Sequence, residues 1–263
     1  MGLKIAISGK GGVGKTTFAS ALGEFLSERG YKTILIDADP DSNLAAALGV
    51  DFEQRVKVKP LSLERELIKE RTGVEPGEGG MFILNPRVDD LVEKYGLKVN
   101  SNLSLVVTGS IEKAGSGCFC PQSSLLRALL AHLVLEREEW VIVDMEAGLE
   151  HLGRATAESI DYLLIVVEPG RRSLETALKI KTLASELGIK KIGVVVNKVK
   201  DKKTYQKIEN FLRENGLSVI GVLPFEEKLV FLDFEDKPVR EALKNNLLSR
   251  AISEIGERLI RGS

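Results

Sequence analysis

The residues able to do chemistry begin at Gly9. The stretch Gly9-Lys10-Gly11-Gly12-Val13-Gly14-Lys15-Thr16-Thr17 fits the pattern G-x-x-x-x-G-K-[ST] and follows an apolar run, Leu3 to Ser8. Glycines at this spacing let the backbone turn tightly and aim successive N–H groups into a concavity that holds an anion, and a helix starting there adds its positive dipole end. Lys15 is placed to reach the β- and γ-phosphates as a point charge. The Thr16 hydroxyl is placed to ligate a phosphate-bound Mg²⁺.

Carboxylates and thiols follow at positions that a ligand-binding sheet would use. Thr33-Ile34-Leu35-Ile36-Asp37 reads as a buried strand, and Ala38-Asp39-Pro40-Asp41 follows it directly. Parallel sheets gather ligands at the carboxyl ends of their strands, so two of these carboxylates can serve magnesium and water. Asp41 is expected rather to cap a helix opening at Ser42-Asn43-Leu44. Trp140-Val141-Ile142-Val143-Asp144 is a second strand ending in a carboxylate, in the Walker B position, and Met145-Glu146-Ala147-Gly148 then offers a glycine N–H near a γ-phosphate. Cys118-Phe119-Cys120-Pro121, approached through Gly115-Ser116-Gly117, stands at a helix entrance, where dipole and mobility favour thiolate. Two thiolates cannot complete a metal shell, whereas a two-fold axis doubles them, so one metal between two chains is expected at Cys118 and Cys120. Affinity alone does not choose among nickel, zinc and copper there. His132 lies among leucines and reads as structural, and His151 reads as an ordinary hydrogen-bonded histidine ahead of a relay of nucleotide state or a transient metal ligand.

The elements that must hold these residues alternate between two periods. Phe18, Ala21, Leu22, Phe25 and Leu26 recur at helical spacing, with Gly30 where a helix would stop. Leu103 to Val107, Tyr162 to Val167, Ile192 to Val196 and Val219 to Leu223 read as strands. Helices are expected from Ser123 to Glu136, Ser173 to Leu187 and Thr204 to Asn215, with one long helix from Val239 to Ile260 closing the chain. The class is α/β, a doubly wound, mainly parallel sheet. One domain is expected over 1–263, with an insertion at about 51–102 that carries weak helical periods and no visible chemistry.

The loop KGGVGKTT resembles the deviant Walker A family of P-loop ATPases, which includes cell-division site-selection, plasmid-partition, arsenite-pump and nitrogenase-iron proteins. The resemblance implies that Lys10 reaches across a dimer interface to the other subunit's phosphates. It also implies that DADPDSNL is a switch I segment in which Asp39 positions or activates the attacking water while Asp37 holds magnesium through water. Asn197 would recognise adenine through the donor and acceptor of its amide, and Pro224-Phe225 would complete that pocket through backbone groups. Within the family, DMEAGLEHLGR and GSGCFCP resemble the nickel-insertion accessory ATPases for carbon monoxide dehydrogenase, over nearly the whole chain. Met145 departs from the threonine that the family usually has, which weakens any hydroxyl-based role there.

The implied function is ATP hydrolysis to ADP, with Mg²⁺, in a homodimer that carries nickel, or zinc, to a client metalloenzyme, carbon monoxide dehydrogenase. A nucleotide-gated iron–sulfur carrier or scaffold is the alternative built from the same parts. With 37 basic against 38 acidic residues and a net charge of -1, the composition points to no nucleic-acid partner. No apolar run has the length of a membrane span, and the C-terminal residues 254–261 are short and mixed in charge for a membrane anchor. Met-Gly-Leu-Lys lacks a signal peptide's apolar core, and a cytoplasmic location is expected.

Overall fold

The computed structural model describes residues 2–39, 43–78, 80–109, 121–146, 149, 152, 154–244 and 246–262. The chain runs β1 (Lys4–Ser8), α1 (Lys15–Glu28), β2 (Thr33–Ala38), α2 (Leu44–Ala47) and α3 (Phe52–Lys57), then a 3₁₀ turn (Leu61–Leu63), α4 (Arg65–Thr72) and α5 (Leu91–Tyr95). It continues through β3 (Leu97–Lys98), β4 (Leu103–Val107), α6 (Pro121–Leu135), β5 (Trp140–Met145), α7 (Arg154–Glu158), β6 (Tyr162–Val167) and α8 (Arg171–Glu186). Last come β7 (Ile192–Val199), α9 (Lys202–Glu214), β8 (Val219–Pro224), α10 (Glu227–Phe234), a second 3₁₀ turn (Val239–Ala242) and α11 (Leu247–Ile260).

Among the described residues the strands form one sheet in the order β3-β4-β2-β5-β1-β6-β7-β8. Every pairing is parallel except β3 with β4, so all carboxyl ends but that of the short edge strand lie on one rim. β1 sits between β5 and β6, and β2 lies beyond β5; the loop after β1 therefore opens at the point where the winding reverses, the place where such sheets bind ligands.

Burial on both faces explains the near-continuous apolar strands. One face packs beneath α4 to α9, through residues such as Ile68, Leu129, Leu133, Ile180 and Leu212. The other packs beneath α1, α2 and α11, through Phe18, Leu22, Leu44, Ile252 and Ile255. Each such side chain contributes roughly 1.5–3 kcal/mol by leaving water. Close approach at α1 depends on glycine: a Cβ on Gly23 would stand 2.9 Å from Leu35, and one on Gly256 would stand 2.2 Å from the Phe25 ring.

Two differences from the sequence reading have physical causes. The long helix expected over Val239 to Ile260 is broken: the 3₁₀ turn ends at Ala242, and α11 begins anew behind Asn246, whose side chain accepts the Ser249 N–H while Ser249 Oγ accepts the Asn246 N–H. Helix α10 exposes Phe231 (60%) and Phe234 (92%) among Glu227, Lys228 and Asp233, so it lacks the clean polar stripe by which periodicity finds a surface helix. The stretch at about 51–102, expected as an insertion, packs on the rest of the chain. Leu61, Leu67, Ile68, Leu91 and Val92 join the main core, and β3 adds the antiparallel edge.

Candidate active site

The phosphate loop leaves β1 between two neighbouring strands. A Cβ on Gly9 would stand 2.4 Å from the Val166 carbonyl of β6, so the backbone passes β6 at a distance only glycine allows. Gly14 has φ 96 and precedes α1 without any side-chain cap, which leaves the first N–H groups of α1 facing the loop. Lys15 is 6% exposed, and Val13 is wholly buried beneath the loop. Lys10 is half-exposed, with no ion-pair partner among the described residues.

Two buried carboxylates stand side by side on adjacent strands beside the loop, and Asp39 follows directly after β2. Asp37 and Asp144 are in register on β2 and β5, and neither is exposed to solvent. The Thr16 hydroxyl donates to Asp144 Oδ2 at 2.7 Å, while Asp144 Oδ1 is buried with no partner among the described residues. Burial pushes the Asp144 carboxyl up to about 6, against the Thr16 hydrogen bond and the Lys15 charge, with Asp39 adding to the rise. Burial raises Asp37 further, to about 7, against the Leu44 N–H, with Asp144 and Asp39 adding to the rise. Asp37 accepts the Leu44 N–H at 3.0 Å and the Asp39 N–H at 3.3 Å, so it pins the start of α2 as well as facing Asp144. Asp41, expected to cap the helix at this point, lies outside the described residues.

An orphaned buried carboxylate oxygen beside a hydroxyl and one further buried carboxylate suits a hard dication that keeps several waters. Thr16, Asp144 and Asp37 therefore fit Mg²⁺. When bound, that ion neutralises charge on the phosphate oxygens and lowers the cost of burying these carboxylates.

At the far side of the loop stand the residues expected for the base. Asn197, 8% exposed, donates from Nδ2 to the Val13 carbonyl at 2.8 Å and accepts the Lys198 N–H on Oδ1 at 2.8 Å. One N–H and one lone pair of its amide remain for a ligand. Pro224 ends β8 in register with Val199, the Phe225 N–H donates to the Val199 carbonyl, and the Lys200 ammonium lies 4.2 Å from the Phe225 ring centroid. Lys198, Glu168 and Lys200 were not legible as site residues. Their part depends on a register shift in β7 that no spacing rule reveals.

Cys118 and Cys120, with Gly148 and His151, lie outside the described residues. Among the described residues no group of three or more His, Cys, Asp or Glu is placed to hold a metal. His132 Nδ1 lies 2.9 Å from Glu136 Oε2, one turn further along the chain, and its Nε2 is buried with no partner among the described residues. Met145 is 1% exposed in the core. No helix among the described residues is long and apolar enough to cross a membrane. A cavity of about 700 Å³ lies at the opposite end of the sheet, among Tyr31, Lys32, Glu139 and Trp140, away from the rim that carries the loop.

The comparisons agree with this geometry. The profile of the CobQ/CobB/MinD/ParA nucleotide binding domain matches residues 4–239. An uncharacterised ATP-binding protein of Methanocaldococcus jannaschii is 48% identical over 96% of this chain and 95% of its own length. The carbon monoxide dehydrogenase accessory protein CooC of Rhodospirillum rubrum is 44% identical over 88% of this chain and 87% of its own. Among solved structures, MinD in the MinC:MinD cell division complex of Aquifex aeolicus superposes with a TM-score of 0.71 at 24% identity, over 98% of this chain and 96% of the other, which speaks for the fold alone. With its loop at the switch point of a mainly parallel sheet and its family match spanning most of the length, the chain belongs to the CobQ/CobB/MinD/ParA nucleotide-binding family of P-loop ATPases.

Proposed function

We propose that this protein hydrolyses ATP to drive delivery of a metal, nickel by its likeness to CooC, to the active site of carbon monoxide dehydrogenase. The observation that carries the ATPase half is the buried Asp144, with one oxygen on the Thr16 hydroxyl and the other unpartnered beside Lys15. The metal half rests on the 44% identity to the carbon monoxide dehydrogenase accessory protein, together with the Cys118-Phe119-Cys120 motif.

In this reading the loop N–H groups and Lys15 hold the β- and γ-phosphates, and Thr16 and Asp144 hold Mg²⁺ with Asp37 behind a water. Asp39 orients the attacking water. Asn197 and the backbone at Pro224 take the adenine edge, and Lys10 serves the phosphates of a second subunit. Nickel or zinc is cargo, held by Cys118 and Cys120.

The test is reconstitution. Purified protein, Mg·ATP and Ni²⁺ should activate nickel-free carbon monoxide dehydrogenase, and Lys15→Ala should abolish both ATP turnover and activation. Activation that proceeds equally without ATP, or with the Lys15→Ala protein, sinks the proposal.

A further inference from the structure

Two consecutive residues of β7 grip two consecutive carbonyls of the phosphate loop. Asn197 Nδ2 donates to the Val13 carbonyl at 2.8 Å, and the same nitrogen lies 2.4 Å from where a Cβ on Gly14 would stand. Lys198 Nζ donates to the Gly12 carbonyl at 2.6 Å and also meets Glu168 Oε2, just past β6, at 2.8 Å. The grip has a backbone cause. The register of β7 against β8 shifts between Val196 and Val199, and Lys198 has φ 57, a left-handed conformation that lysine rarely adopts. Such irregularities re-aim a side chain, and the strain persists only where surrounding contacts hold it.

The consequence for the loop follows from the planar trans peptide, in which C=O and N–H point opposite ways. Drawing the Gly12 and Val13 carbonyls toward β7 turns the N–H groups of Val13 and Gly14 away from it, into the concavity of the loop. There the Val13 N–H finds only a long contact, 3.4 Å, to the Lys10 carbonyl across the turn. An anion would be a better acceptor.

We propose that Lys198 is a positioning residue for the phosphates: its ammonium fixes the Gly12 peptide so that the loop's N–H groups are aimed before nucleotide arrives. Glu168 holds that ammonium in place. This rests on the reading of the loop as an ATP site. A preset loop spends less of its interaction energy on ordering itself, so loss of Lys198 should weaken binding of the phosphates and spare the base.

The experiment compares wild type, Lys198→Gly and Lys198→Arg by calorimetric titration with Mg·ADP and with AMP, which lacks the β-phosphate. Glycine removes the ammonium and also relieves the positive φ, so the thermal midpoint should hold or rise. Lys198→Gly should bind Mg·ADP at least about tenfold more weakly, the scale of one charge-assisted hydrogen bond, with AMP affinity unchanged within about twofold. Arginine, which can still donate to Gly12 and Glu168, should recover most of the loss. Unchanged Mg·ADP affinity in Lys198→Gly, or equal losses for ADP and AMP, overturns the inference. A wild-type protein that binds neither Mg·ADP nor Mg·ATP overturns instead the ATP reading beneath it.

Discussion

Asp39 and Glu24 show how differently two carboxylates can act. Asp39 adds to the raised pKa of both Asp37 and Asp144, so its charge is felt where the metal and phosphates would lie. A water-orienting carboxylate acts in the transition state rather than in ground-state binding. Asp39→Ala should therefore keep ATP affinity within about twofold while lowering turnover by about 10²–10⁴. Parallel losses of binding and turnover would mark it as structural. Glu24, on the buried side of α1, is 6% exposed, 3.4 Å from Arg240, and has Oε2 without a partner among the described residues. Burial, opposed by Arg240, raises it from 4.5 to about 7. A carboxyl raised in the folded state contributes stability that is complete below 4.5 and lost as pH climbs through about 7. Glu24→Gln should flatten that window and leave the protein more stable at pH 8 by up to about 3 kcal/mol, read from urea unfolding at pH 4.5 and pH 8. An equal effect at both values would show that the charge is not what matters. Sequence spacing exposed the loop and the strand-end aspartates because their chemistry demands fixed residue types at fixed offsets. Glu24, Glu168 and Lys198 escaped because burial and a register shift, not spacing, give them their roles.

At the scale of elements, the strands and the crossover helices were legible to within a few residues, since two-sided burial writes continuous apolar runs and one-sided burial writes a helical stripe. Signals failed where a segment is stabilised by something other than a stripe. Asn246 restarts α11 through a reciprocal pair of hydrogen bonds with Ser249, and the intervening Leu243 and Lys244 do not continue the 3₁₀ turn. Removing the cap by Asn246→Ala should cost about 1 kcal/mol of unfolding free energy without altering ATP turnover, because α11 packs on α1 and β8 far along the chain from the carboxylates. A loss of less than about 0.3 kcal/mol would mean that packing alone starts the helix. The region at 51–102 gains its meaning here. The Ser62 N–H donates to the Thr108 carbonyl at 3.1 Å, Pro60 packs beneath Gly109, and the same 3₁₀ turn and α4 pack on α6. It thus braces both ends of the segment that carries the two cysteines.

For the whole molecule, one rim of one sheet carries every proposed nucleotide contact, and the cysteine segment leaves that same rim from β4 and returns into α6 at Pro121. Each chain has two cysteines to offer, and a closed tetrahedral site takes four ligands; under the proposed pairing, a two-fold axis beside Cys118 and Cys120 would supply them. Linkage then requires that metal and ATP, if both favour the paired state, each tighten the other. Titration with Ni²⁺ or Zn²⁺ under reducing, anaerobic conditions should saturate at one metal per two chains with thiolate-to-metal absorption, and its affinity should rise as pH approaches the thiol range because binding releases protons. Cys118→Ala or Cys120→Ala should each remove tight metal binding while the monomer still binds ATP. Lys10→Gln should do the converse, leaving nucleotide binding to the monomer intact but abolishing ATP-dependent pairing in gel filtration. One metal per chain, or tight binding that survives loss of both cysteines, would place the ligands elsewhere and separate the ATPase from the proposed cargo.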